Sequence, residues 1–174
     1  EDLLNGLLLY SGNDNAVAIA DHIAGSTEKF AEMMNAEAKK LMATNSHFVN
    51  PSGLHDDNHY TTAYDLYLIF NECIKHDDFV KIINSSSYTA HITGADGTKR
   101  DVKWEPTNYY AKGEATPPDN VTIIGGKTGT TKGAGNCLIL LTKDSSGNPY
   151  ISIIMGAGSK PLLYQDMTSM LSKI

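Results

Sequence analysis

One stretch limits what the rest of the chain can build. It is Val121 to Thr131, reading VTIIGGKTGTT. Val121, Thr122, Ile123 and Ile124 are β-branched, and such residues favour a pleated strand. Gly125 and Gly126 then break the run. Glycine inside a strand marks a bulge, or a close approach by a ligand or another backbone. Lys127 and Thr128 follow on that bare backbone. A cation and a hydroxyl placed there suit the carboxylate of a peptide-like ligand, whose amides can pair with the strand edge. A solvated turn lysine is the other reading of Lys127.

A chain of 174 residues suits one domain with a real core. Its net charge of −6 argues against a nucleic-acid partner. No run of 18 apolar residues is present to cross a membrane, and the opening EDLLNGLLLY shows no signal-peptide pattern. Cys73 and Cys137 lack metal-ligand spacing. They read as buried free thiols, with a disulfide left open.

Hydrophobic spacing predicts the other elements. Leu3, Leu4, Leu7 and Leu8 predict a helix over 2–9, and a second follows from about Asn15 to Ala24. Ala16, Val17, Ile19, Ala20 and Ile23 run almost all round that second helix, which predicts burial. Gly25 ends it as a left-handed cap. Ser26 or Thr27 opens a helix to about Ala43, with Phe30, Met33, Met34, Ala38 and Leu41 facing inward. Residues 44–61 have neither period and read as an ordered loop. His55 and His59 lie in it, but Asp56-Asp57-Asn58 between them is poor helix material. We therefore expect no metal there. Thr62 and Asp65 resemble a capping box for a helix to about Lys75, and a short helix covers Phe79 to Ile83.

From Ser86 the pattern turns to β. Ser87–Thr93 and Arg100–Glu105 flank a Gly-Ala-Asp-Gly turn, and Thr107–Asn120 reads as irregular. Strands at 121–128, Asn136–Lys143 and Tyr150–Gly156 form a meander, and Pro161 opens a last helix. The fold class is α+β, with a helical cluster packed on an antiparallel sheet.

Two short motifs carry the chemistry: Ser11-Gly12-Asn13 at a helix break, and Lys127-Thr128-Gly129 on a strand. A hydroxyl and a nearby amide at a tight turn can relay a proton and hold a substrate amide. In this order, the pair resembles the later two signatures of the penicillin-recognising acyl-serine enzymes. Through LLLYSGNDNAVAIADHIAGS, HFVNPSGLHDDNHYTTAYDL and GGKTGTTKGAGNCL, the chain resembles the low-molecular-mass serine D-alanyl-D-alanine carboxypeptidases of bacterial cell-wall metabolism.

That resemblance implies a partial transpeptidase fold of the DD-peptidase/β-lactamase type. Residues 1–174 would be a single, incomplete catalytic domain. Its helical part covers about 1–85, a β excursion about 86–120, and the sheet strands with the last helix about 121–174. Ser11 would pass a proton to the leaving amine, and Asn13 would hold the substrate amide carbonyl. Lys127 and Thr128 would bind the terminal carboxylate of a D-Ala-D-Ala stem peptide or a β-lactam. Gly129 would leave room for the ligand strand, and the Thr130 N–H would be an oxyanion donor. The resemblance implies no cofactor, and a cell-envelope, extracytoplasmic setting.

The family's nucleophile lies in a Ser-x-x-Lys ahead of Ser-x-Asn. The expected consequence is that an upstream segment holds it and that this chain alone is inactive. Ser26-Thr27-Glu28-Lys29 matches the spacing but follows Ser11, and Ser26 is better placed as a helix cap. Ser146-Gly147-Asn148 reads as a hairpin link. Without a central helix, residues 2–24 would bare apolar surface, inviting self-association or complementation by the absent segment. A class A β-lactamase relative would need a Glu-x-x-x-Asn loop, which we do not find. A non-catalytic module that binds wall peptides, or a purely structural fragment, are the remaining alternatives.

Overall fold

The stretch from Val121 does form a strand, and it runs to Thr131, three residues beyond its predicted end. A computed structural model describes all residues, 1–174. In chain order the helices are α1 (Asp2–Leu8), α2 (Asn13–Ala24), α3 (Thr27–Lys40), α4 (Ala63–Cys73), α5 (Asp77–Ile83), α6 (Tyr109–Lys112) and α7 (Lys160–Leu171). The strands are β1 (Tyr88–Thr93), β2 (Lys99–Trp104), β3 (Val121–Thr131), β4 (Gly135–Asp144) and β5 (Pro149–Ala157). No helix is long and apolar enough to cross a membrane.

β1 and β2 make a separate antiparallel hairpin, and β3-β4-β5 make an antiparallel sheet with β4 at its centre. Helices cover both faces of that sheet. Leu138 and Leu140 of β4 pack with Leu163, Tyr164, Met167 and Leu171 of α7. Ile139 and Leu141 point the other way, to Phe70 of α4 and Ile83 of α5. This double burial explains why β4 reads as a continuous apolar run: alternate residues meet different cores. Fully burying such a side chain contributes about 1.5–3 kcal/mol.

Local signals placed most helix ends. Ser26 Oγ accepts from Lys29 N at 3.2 Å, which caps α3, and Ser159 caps α7. Gly25 ends α2 at φ +78°. Several expectations need correction. Helix α2 starts at Asn13, two residues early, because Gly12 serves as its N-cap. Nor is α2 buried all round: only Ala16 and Ala20 are, while Val17 and Ile23 face solvent. Met33 is likewise exposed, and Ala31 and Ala38 are the residues α3 buries. Helix α3 stops at Lys40 rather than Ala43, since Met42 turns left-handed at φ +64°. The Thr107–Asn120 excursion contains α6, capped by Asn108, whose side chain accepts from Tyr110 N at 3.1 Å.

The Thr62–Asp65 capping box is only half made. Thr62 Oγ1 accepts from Asp65 N, but the Asp65 carboxylate turns inward to the 44–61 loop. There, fully buried, it accepts from Asn45 N at 2.8 Å and Ser46 Oγ at 2.7 Å. Asn35 holds the same loop by two bonds to the Phe48 backbone. Residues 44–61 are therefore ordered from beneath, and they form a wall of the cavity described next.

Candidate active site

Sheet register aims the Lys-Thr-Gly residues. Lys127 pairs with Ile139, Thr128 with Leu138 and Gly129 with Cys137. Directly opposed residues share a face. Lys127 and Gly129 therefore face the side of α4 and α5 with Ile139, and β3 is an edge strand whose outer edge carries no partner strand. Between sheet and helices lies a cavity of about 750 Å³. Ser11, Asn13, Lys127, Thr128, Gly129 and Thr130 all line it. The fold thus brings every sequence-selected residue to one cleft.

Lys127 Nζ donates to Ser11 Oγ across 116 residues of chain, and also to the Thr128 carbonyl at 2.9 Å. Burial pushes the Lys127 ammonium down to about 8, because a low-dielectric surrounding disfavours the charged form. Ser11 itself is strained: it lies at φ +64°, a region that non-glycine residues rarely occupy. Such conformations persist only where the surroundings enforce them, and they gather at functional sites.

Sequence reasoning missed Thr107. Its hydroxyl bonds the Thr128 hydroxyl at 2.5 Å, and its N–H donates to the Leu9 carbonyl at 3.1 Å. Thr107 therefore ties the strand bearing Lys127 to the turn bearing Ser11. Its position in an apparently irregular segment carried no periodic signal. The Thr128 hydroxyl, expected to meet a ligand carboxylate, also bonds the Thr107 hydroxyl within the protein. Two tyrosines were also missed. Tyr109 and Tyr164 stack with centroids 4.6 Å apart at the cavity rim, and Lys160 Nζ sits 5.6 Å from the Tyr109 ring.

Gly125 and Gly126 make room for the protein's own backbone. A methyl on Gly125 would strike the Ile83 carbonyl of α5, and one on Gly126 the Ile139 carbonyl of β4. Only Gly129 opens toward the cavity, its nearest obstacle being Cys137 Cβ at 4.0 Å. Cys73 and Cys137 are free and half-buried, and both line the cavity without a disulfide. Burial raises the Cys73 thiol. His59 accepts from Val49 N at 3.1 Å and is lowered by burial, while His55 Nε2 lies 3.5 Å from Asp57. Both histidines thus serve the loop. Ser26 caps α3, and Ser146-Gly147-Asn148 closes the β4–β5 turn on Asp144.

Known proteins resemble this chain in sequence and fold. A family profile described as D-alanyl-D-alanine carboxypeptidase matches residues 1–159. The D-alanyl-D-alanine carboxypeptidase DacF of Bacillus subtilis is 31% identical over 98% of this chain. DacD of Escherichia coli is 34% identical over 91% of it. The chain spans only 41% and 37% of those two relatives. The solved Streptomyces K15 DD-transpeptidase superposes with a TM-score of 0.87 at 30% identity, over 98% of this chain and 65% of that one.

Proposed function

Because the chain belongs to the D-alanyl-D-alanine carboxypeptidase family, we propose that it forms the substrate-orienting part of a bacterial cell-wall carboxypeptidase. The whole protein would hydrolyse the terminal D-alanine of a stem peptide through an acyl-serine intermediate. It would bind penicillins at the same groove and work in the cell envelope. One observation carries this reading: a half-buried ammonium and the hydroxyl of a residue with a strained backbone, far apart in sequence, are hydrogen-bonded in a peptide-sized cleft.

The residues divide the work. The ligand lies along the open edge of β3, over Gly129, as an added strand. Lys127 meets its terminal carboxylate, with Thr128 and the Thr107 hydroxyl behind it. Asn13 donates to the amide carbonyl. Ser11, held by Lys127, returns a proton to the leaving amine. The Thr130 N–H points at the oxygen that becomes negative in the tetrahedral state. The nucleophile comes from a segment of the whole protein ahead of these residues. The apolar wall of the cleft supports this, because Leu7, Leu8, Leu66, Ile69 and Phe79 line it and suit a packed helix. A helix bearing Ser-x-x-Lys would complement the site there. Self-association through Leu3, Leu4 and Ile23, which are exposed on α1 and α2, is the competing use of apolar surface. Sedimentation across concentrations separates the two, since a concentration-independent monomer removes self-association.

Binding tests the assignment directly. N-acetyl-D-Ala-D-Ala added to the labelled chain is expected to shift the NMR signals of Ser11, Asn13 and Lys127–Thr130. Unmoved signals at millimolar peptide would reject it. Lys127→Ala is expected to weaken binding by about 1.5–3 kcal/mol, roughly 10- to 150-fold, the scale of a charge-assisted hydrogen bond. The pH dependence follows from burial. Lys127 is charged below about 8, so carboxylate affinity is full there and falls as the pH rises through about 8. A flat affinity profile between pH 7 and 10 would remove Lys127 from the carboxylate site.

A further inference from the structure

The turn carrying Ser11 is closed by one hydrogen bond, from Gly12 N–H to the Gly6 carbonyl at 3.1 Å. Neither glycine has a backbone angle that demands glycine. Gly6 lies within α1, and Gly12 has φ −68°. Glycine inside a helix also costs stability relative to alanine. Space accounts for both. A Cβ on Gly6 would run into Asn15 Nδ2 and stand 2.8 Å from its Cγ. A Cβ on Gly12 would run into Asn15 Oδ1 and stand 3.1 Å from its Cγ. One amide, on the first turn of α2, therefore fills a notch between two bare α-carbons.

Ser11 sits between these glycines at φ +64°. Thr107 N–H anchors the near side of the loop at the Leu9 carbonyl. With that end fixed, a displacement of Gly12 is carried to its chain neighbour Ser11, and Asn15 is the side chain that packs on Gly12. We propose that Asn15 is a positioning residue: seated between Gly6 and Gly12, it holds the turn in the left-handed form that sets Ser11 Oγ on Lys127 Nζ. The functional consequence rests on Ser11 and Lys127 being the working pair, but the three-residue fit stands apart from that reading. Gly6, Gly12 and Asn15 act as a matched set, in which a methyl at position 6 is accommodated only when residue 15 shrinks.

Rescue tests the fit. In the labelled 174-residue chain, Ser11 backbone shifts and its HN–Hα coupling report the left-handed angle. Gly6→Ala is expected to abolish that signature, to move the Lys127 side-chain signals, and to weaken N-acetyl-D-Ala-D-Ala binding about tenfold or more. Adding Asn15→Ala to Gly6→Ala is expected to restore the signature, and the affinity to within about twofold. A Gly6→Ala chain that keeps the signature, or a double variant no better than Gly6→Ala, overturns the proposal. Should Gly6→Ala fail to fold, Asn15→Gly empties the notch without adding bulk. It is expected to shift the Ser11 signals while leaving far-UV circular dichroism unchanged, and unshifted Ser11 signals overturn the proposal. Failure of the wild-type chain to bind peptide would remove the functional reading alone, because the Ser11 signature judges the fit without a ligand.

Discussion

The intact mass of the 174-residue chain is expected to stay unchanged after incubation at pH 7 with excess benzylpenicillin. Acylation needs a hydroxyl next to a group that can take its proton. The candidates within the chain fail for distinct reasons. Ser26 spends its oxygen on Lys29 N at the start of α3. Ser52 is folded into the Asn50 turn, donating to Asn50 Oδ1 at 3.2 Å. Ser11 has a lysine partner, but at pH 7 an ammonium that titrates near 8 is mostly a donor. Lys127 then stabilises the Ser11 oxygen and does not activate it. A mass increase of one drug molecule, mapped to Ser11, would mean that Ser11 and Lys127 are themselves a nucleophile and its base, and the division of roles proposed above would fall. The same incubation with a longer form of the protein carrying an upstream Ser-x-x-Lys is expected to give that mass increase at the upstream serine.

The second large effect concerns stability. Gly125→Ala is expected to destabilise the chain by about 3 kcal/mol or more, at the upper end of what overpacking costs. The added methyl meets the backbone of Ile83, standing 2.5 Å from its carbonyl carbon, and no rotamer change can relieve that. Helix α5 would have to leave β3 and open the contact of Ile83 with Phe70, Ile139 and Leu141. Gly129→Ala provides the contrast. Its methyl faces Cys137 Cβ at 4.0 Å, an ordinary contact, so stability should change by no more than about 0.5 kcal/mol. That same methyl stands where the proposed ligand strand would lie, so peptide binding should be lost. Urea unfolding read beside peptide titration separates the two outcomes. In melting temperature, the Gly125→Ala loss corresponds to roughly 6–12 °C for a domain of this size. Equal destabilisation by both substitutions would mean that the three glycines of this strand share one role, contrary to the packing.

Gly125 also shows where sequence reading stopped. A glycine pair beside a lysine signals that something approaches the strand closely, and that inference holds. What approaches is α5 and β4, and only the folded chain decides between them and a ligand. Local chemistry placed the caps at Ser26, Thr62 and Gly25, because each acts within a few residues of itself. The Leu138–Leu141 run announced a strand, but not that its alternate residues serve two separate cores. Helix α2 misled for the same reason. Its apolar residues fit a buried element, yet Val17 and Ile23 face water, because burial depends on what lies beside a helix.

The order of Ser11-Gly12-Asn13 and Lys127-Thr128-Gly129, read with the long stretches that flank them, was enough to indicate the family. Those motifs consist of residue types whose chemistry is written in the side chain itself. Tertiary structure alone decided that Ser11 meets Lys127, that burial lowers the lysine toward neutrality, that Thr107 bonds Thr128, and that Asn15 packs against Gly6 and Gly12. Those facts are distances and solvent exclusion between segments far apart along the chain. Only the packing of helices on both faces of the β3-β4-β5 sheet creates them.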